Sequence, residues 1–377
     1  MMNGPEKSDP AIVAMKPTNK AGQPAAERSA AEPNAAEPVE RRAGTKGNAD
    51  QQSTHRTQSR ASASQALERI RKVATQRKKE RFTTLFHHID TDLLEEAFYE
   101  LAQNAAPGVD RMTWKDYEAD IERNLEDLHG RVHRGAYRAL PSRRVYIPKP
   151  DGRQRPLAVA ALEDKIVQRA VTALLSAIYE EDFLGFSYGF RPGRGAHDAL
   201  DALCVGIHSK KVSFILDADI RSFFDEISQD WLIRFLEHRI GDRRIIRLVQ
   251  KWLKAGILED GVVSVSDRGT GQGSVISPLL ANIYLHYALD LWVVRWRQRQ
   301  ATGDMIIVRY ADDFIVGFEH QVDARMTWER MTQLVDAWLP KPIILHPWPS
   351  DRFAVTHPRW EPYAGKPPVR FCAGGAR

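Results

Sequence analysis
Apolar residues fall along this chain in three regimes. Up to about residue 63 the sequence is Ala, Pro, Gln, Ser, Asn and charge without apolar periodicity, and the first aromatic side chain is Phe82. Such a segment buries too little to offset its ordering entropy, so residues 1–63 are expected to be disordered. From Leu67 the rhythm turns helical. Leu67, Ile70 and Ala74 share a face amid Arg69, Arg71, Lys72, Arg77, Lys78, Lys79 and Arg81, which predicts a basic amphipathic helix. Residues 90–102 repeat the helical spacing with Leu93, Leu94, Phe98 and Leu101, and Pro107-Gly108 closes the segment in a turn. Residues 116–128 read as an acidic helix. Residues 145–148 and 156–159 read as strands joined by the turn Lys149-Pro150-Asp151-Gly152, and a helix follows over 162–179.

The middle regime continues with a strand at 213–220, helices at 229–239 and 243–254, and one long helix at 278–297. Two short apolar strands, 305–308 and 314–318, precede a helix over 322–339. After Leu345 prolines and aperiodic aromatics take over and neither helix nor strand is predicted. Strands and helices therefore mix in an α+β order, with no internal repeat.

Composition narrows the classes. A length of 377 residues with 43% hydrophobic content suits one large or two to three smaller domains. Cys204 and Cys372 are too few for a disulfide scaffold, so a reducing, cytoplasmic interior is expected. No run of about 18 uncharged apolar residues occurs, which argues against a spanning helix and a membrane partner. Residues 1–10 lack the apolar core of a secretory signal. The net charge of +5 is unevenly placed. Residues 66–81 carry seven basic and two acidic side chains, and residues 131–155 carry eight basic and one acidic. The remaining chain is net negative, so the positive charge concentrates where a phosphate backbone would lie.

The sharpest candidate chemistry is Arg309-Tyr310-Ala311-Asp312-Asp313, flanked by the two apolar strands. Adjacent acids on a tight turn between buried strands repel each other, and a divalent cation removes that cost. A plain polar hairpin turn is the bland alternative. The strand 213–220 also ends in acids, Asp217 and Asp219, and is followed by Phe223, Phe224 and Asp225. Carboxylates from two segments can hold two Mg²⁺ ions about 3.5–4 Å apart, which clamps the attacking and leaving oxygens of phosphoryl transfer. Between these segments lies Gly269-Thr270-Gly271-Gln272-Gly273-Ser274, leading to Ser277 as an N-cap and Pro278 at the first helical position. A glycine-rich turn before a helix lets backbone approach a base pair or phosphates.

The order of a strand ending at Asp219, a glycine–Gln272 loop and a Tyr-Ala-Asp-Asp hairpin resembles the group II intron-encoded reverse transcriptase/maturase family, from about Ala66 to Leu345. The resemblance implies an RNA-directed DNA polymerase with a right-hand fold of fingers and palm, the split βαβ-like palm sheet being backed by helices. It implies Asp219, Asp312 and Asp313 as catalytic and metal-binding acids for two Mg²⁺. It implies Phe224 beneath the incoming sugar, Gln272 beside the templating base pair, and Lys149 with Arg155 gripping the triphosphate. The stretch Phe186-Ser187-Tyr188-Gly189-Phe190-Arg191-Pro192-Gly193-Arg194 is similar to a fingers motif that contacts template. The implied partners are RNA template, foremost group II intron RNA, a DNA primer and deoxynucleoside triphosphates.

The resemblance divides the chain into a disordered tail (1–63), a basic helix with a template-handling extension (64–130), fingers and palm (131–345), and an irregular tail (346–377) where a thumb and maturase region would stand. Without a thumb, primer–template contacts would be fewer and processive synthesis weaker. The alternative reading is a non-catalytic protein that binds intron RNA. A retron-type reverse transcriptase is a further alternative, against which the run Ser277-Pro278-Leu279-Leu280-Ala281-Asn282 favours the intron type.

Overall fold
A computed structural model of the chain describes residues 54–148, 152, 154–220 and 222–338. Residues 1–53, Lys149 and the tail 346–377 lie outside the described residues, as do the expectations placed on them. The described chain forms two compact units. The first takes the residues up to Gly185, Leu236–Ser266 and Gly271–Ile276; the second takes Phe186–Phe235, Asp267–Thr270 and the chain from Ser277 onward.

The first unit is mostly helical: α1 (Thr54–Gln76), α2 (Thr91–Tyr99), α3 (Trp114–Glu118), α4 (Ile121–His133) and α5 (Leu162–Tyr179). Helix α1 corrects the expected tail, because residues 54–63 are helical. Ala63, Ile70 and Ala74 are buried on the side that meets α2 and α5, so packing extends the helix beyond what its polar composition suggests. The expected single helix at 116–128 is two. Thr113 caps α3 with Asp116 in a reciprocal capping box, and Asp120 leaves helical geometry (φ −137°, ψ 47°) to start α4. Helix α5 is the centre of this unit. Ile166, Ala170, Val171, Leu174 and Ile178 are all fully buried, and even Asp164 and Lys165 on it are shielded.

The same unit carries a four-stranded sheet in the order β2–β1–β4–β5. The expected pair appears as β1 (Ser142–Pro148) and β2 (Gln154–Val159), antiparallel with Val145 opposite Leu157. Strands β4 (Ile257–Glu259) and β5 (Val262–Ser264) were not expected; they join in an antiparallel hairpin, and β4 runs parallel to β1. Asp260 and Gly261 turn that hairpin with φ of 49° and 80°, the left-handed pair that an Asp-Gly step favours.

The second unit contains α6 (Ala196–Ser209), β3 (Phe214–Asp219), α7 (Phe223–Glu226) and α8 (Gln229–Arg239), whose last residues pass into the first unit ahead of α9 (Arg243–Leu253). It continues with α10 (Ser277–Leu285), α11 (Leu291–Arg299), β6 (Met305–Tyr310), β7 (Asp313–Phe318) and α12 (Gln321–Trp338). Helix α6 was not expected. The long helix expected at 278–297 is interrupted: a π-helical turn, His286–Asp290, separates α10 from α11. The sheet order is β3–β7–β6, antiparallel throughout.

Register assigns the two faces of this sheet. Leu216, Ala218, Ile307, Arg309, Phe314 and Val316 fall on one face and are all buried. Asp217, Asp219, Tyr310, Asp313 and Ile315 fall on the other. Helix α6 covers that second face at the end away from the acids, where Gly206 lies against Ile306. The acidic end of the face is therefore the more open one.

Candidate active site
Each acid is positioned by strand register. Asp219 is the last residue of β3 and stands opposite Asp313, the first residue of β7. Tyr310, the last residue of β6, pairs with Asp313 from the other side. Ala311 and Asp312 thus form a two-residue turn. Ala311 has φ 57°, a left-handed conformation usually left to glycine at the first turn position. Holding an alanine there costs about 1–2 kcal/mol.

The electrostatics follow from this crowding. The Asp313 carboxyl is pushed up to about 6, first by burial, then by the negative charges of Asp219, Asp312 and Asp217 and by a side-chain hydrogen bond with Asp219. Asp217 lies two residues from Asp219 on the same face and is exposed. Among the described residues no group of three or more His, Cys, Asp or Glu side chains is already arranged to hold a metal ion. The donor chemistry nonetheless fits hard divalent cations, because the acids that crowd Asp313 are all carboxylates.

Phe224 belongs to the same unit. It sits on α7, the single-turn helix that follows β3, is half-buried, and meets Phe190 edge-on at 6.2 Å between ring centroids. Its carbonyl accepts from the Thr270 N–H at 2.9 Å, which ties the α7 turn to residues 267–270. Ser277 opens α10, and its hydroxyl donates to the Thr270 carbonyl.

Arg155 and Gln272 come together in the first unit. With its amide oxygen turned toward Arg155, Gln272 accepts from Nη2 at 2.8 Å and Nε at 2.9 Å, and its amide nitrogen donates to the Pro156 carbonyl at 3.2 Å. The Gln272 carbonyl accepts from the Ala158 N–H at 2.6 Å, and Gln168 of α5 accepts from Ser274 Oγ and the Val275 N–H. The glycine loop is thereby anchored on β2 and α5, while Arg155 stays exposed.

The motif at 186–194 takes a role that sequence reasoning missed. The Phe186 carbonyl accepts from the Arg309 N–H at 2.9 Å, and the Tyr188 N–H donates to the Arg309 carbonyl at 2.8 Å, so the segment runs along the outer edge of β6. Behind the turn, Arg309 is fully buried and forms a bidentate pair with equally buried Asp290 of the π-helical turn, at 2.8 Å and 2.6 Å. A lone Arg among apolar strand residues and a lone Asp in the apolar run Tyr284–Val294 were the available signal, since a buried charge requires a partner.

The reverse transcriptase (RNA-dependent DNA polymerase) family profile matches residues 147–341. Protein YkfC of Escherichia coli (strain K12) is 34% identical over 267 residues, covering 62% of this chain and 70% of that protein. Group II intron-encoded protein LtrA of Lactococcus lactis subsp. cremoris is 33% identical over 235 residues, 62% of this chain and 39% of LtrA. An uncharacterized 91 kDa protein in the cob intron of Schizosaccharomyces pombe is 43% identical over 146 residues, 39% of this chain and 18% of that protein. The chain thus spans well under half the length of the latter two relatives. Among the described residues no helix is long and apolar enough to cross a membrane.

Proposed function
Because the chain belongs to the reverse transcriptase (RNA-dependent DNA polymerase) family, and within it to the group II intron reverse transcriptases and maturases, we propose that it adds deoxynucleotides to a primer 3′-hydroxyl under the direction of an RNA template. The observation that carries this reading is the convergence of Asp219, Asp312 and Asp313, with Asp217 beside them, at the open end of one sheet face. Asp219, Asp312 and Asp313 would hold two Mg²⁺. When bound, such a pair lowers the pKa of the attacking hydroxyl and neutralises charge developing on the phosphate. Burial, together with repulsion from Asp219, Asp312 and Asp217, pushes Asp313 up to about 6, and a divalent cation would meet that electrostatic demand.

The other roles fall to fixed side chains. Phe224, held half-buried on its short helix, would lie beneath the sugar and exclude a 2′-hydroxyl by bulk. Arg155, exposed on β2, would meet the triphosphate together with Lys149, as a forked guanidinium beside a point charge. Gln272, braced by Ala158, would sit at the templating base pair. Catalysis then comes mainly from positioning and electrostatics, without a covalent protein intermediate. The partners are an RNA template, foremost group II intron RNA, a DNA primer and deoxynucleoside triphosphates.

A panel of templates and nucleotides tests this. The chain is expected to extend a DNA primer on an RNA template with deoxynucleotides and to reject ribonucleotides. Phe224→Ala is expected to raise ribonucleotide incorporation by about tenfold or more. No template-directed addition under any combination would leave RNA binding without catalysis as the function.

A further inference from the structure
Arg309 carries five guanidinium N–H donors, and every one finds a partner. Nε and Nη2 donate to the two Asp290 carboxylate oxygens at 2.8 Å and 2.6 Å. Nη2 also donates to Ser187 Oγ at 2.7 Å, and Nη1 donates to Asn282 Oδ1 at 3.1 Å. The last donor decides the function: Nη1 reaches the Ala311 carbonyl at 2.8 Å. Arg309 stands on the buried sheet face, on the opposite side from Asp219 and Asp313, so it touches neither metal nor nucleotide.

The same backbone residue is held from a second direction. Asn282 uses its Nδ2 to donate to the Gly189 carbonyl at 2.7 Å. A Cβ added at Gly189 would stand 2.2 Å from the Ala311 nitrogen and 2.9 Å from its Cα, so that loop lies directly against the turn. Ala311 is the residue with left-handed φ that turns β6 into Asp312 and Asp313. An isolated buried ion pair could be replaced by apolar packing with little loss of stability, so a fully satisfied one that ends on a strained turn calls for another account.

We propose that Arg309 is a positioning residue: with Asp290, Asn282 and Gly189 it fixes the Ala311 backbone and so aims the carboxylates of Asp312 and Asp313. The inference deepens the metal-site reading above and rests on it for its consequence, though not for the clamp itself. Hydrogen exchange of the metal-free chain reads the clamp directly. In Asn282→Ala, the amides of residues 311–313 are expected to exchange about tenfold faster or more, while helix α5 keeps its protection. Mn²⁺ affinity, followed by electron paramagnetic resonance, is expected to fall about tenfold. Gly189→Ala leaves the polar partners of Arg309 in place and presses on Ala311 alone; it is expected to reproduce both changes. A folded variant of either kind with wild-type exchange at 311–313 would overturn the proposal. Loss of fold in both would overturn it too, by assigning the cluster to stability. If exchange responds as expected but wild-type protein and Asp312→Ala bind Mn²⁺ alike, the clamp stands and the metal reading has failed.

Discussion
His286 lies one turn ahead of Asp290 and is buried, which pushes its imidazole down to about 4 from an ordinary 6.5. The folded state therefore favours the neutral ring. Its contribution to stability is complete above pH 6.5 and is lost as pH falls from 6.5 toward 4, amounting to about 3 kcal/mol at most. Asp164 acts in the opposite sense. Burial raises it to about 6, against the hydrogen bonds it accepts from Tyr137 and Leu140, so its contribution grows as pH falls from 6 toward 4. The two partly cancel in the whole protein, so the imidazole must be isolated by difference. Urea unfolding of His286→Gln and wild type is expected to show a gap that changes across pH 4–6.5; a constant gap would refute the assignment. At this scale the acids were legible in the sequence because a carboxylate pair on a hairpin turn has few purely structural uses. The work of Arg309 was not, because its partners Asp290, Asn282 and Ser187 lie 19, 27 and 122 residues away. Only the folded sheet brings them to one guanidinium.

Element by element, periodicity located β1, β2, β3, β6, β7 and the core helix α5, where burial is continuous and local pattern agrees with tertiary packing. It failed where a short signal was outvoted. The Asp260-Gly261 step, with Ile257-Leu258 before it and Val262-Val263 after it, is a hairpin signature, yet three-residue strands carry too little pattern to register. The segment 278–297 reads as unbroken helix because its apolar content hides the π-helical turn. That turn has a geometric purpose. Residues eight apart on an α-helix are rotated by about 80°, and the wider turn lets Asn282 and Asp290 face Arg309 together. Deleting Ala288 would leave Asp290 seven residues after Asn282, about 20° from alignment on a regular helix, so the ion pair itself is tested by Asp290→Ala. Leaving a buried charge uncompensated costs about 3–5 kcal/mol, so Asp290→Ala is expected to lower unfolding stability by that order while far-ultraviolet circular dichroism stays helical. Wild-type stability would show that the pair has no such role.

Over the whole molecule, the basic stretches that the sequence marks for phosphate are partly spent inside the protein. Arg131 is held by Asp127 and Glu163, Arg144 faces Glu259, and Arg143 donates to the Pro107 carbonyl. Counting charge therefore overstates the surface open to nucleic acid. Lys72 and Lys79 on and just after α1 remain exposed. Replacing both by Gln is expected to weaken RNA binding evenly across sequences and to make the slope of log affinity against log salt shallower by about 1.4, at about 0.7 per lost phosphate contact on a single strand. An unchanged slope would place the RNA elsewhere. On the proposed function, Asp219, Asp312 and Asp313 act together on metal-bound nucleotide. Single-nucleotide extension of a DNA primer on an RNA template in Mg²⁺, run under single-turnover conditions, tests it most directly. Each of Asp219→Asn, Asp312→Asn and Asp313→Asn is expected to cut the rate by about 10³-fold with primer–template affinity retained. Extension at the wild-type rate by any one of the three would contradict the account.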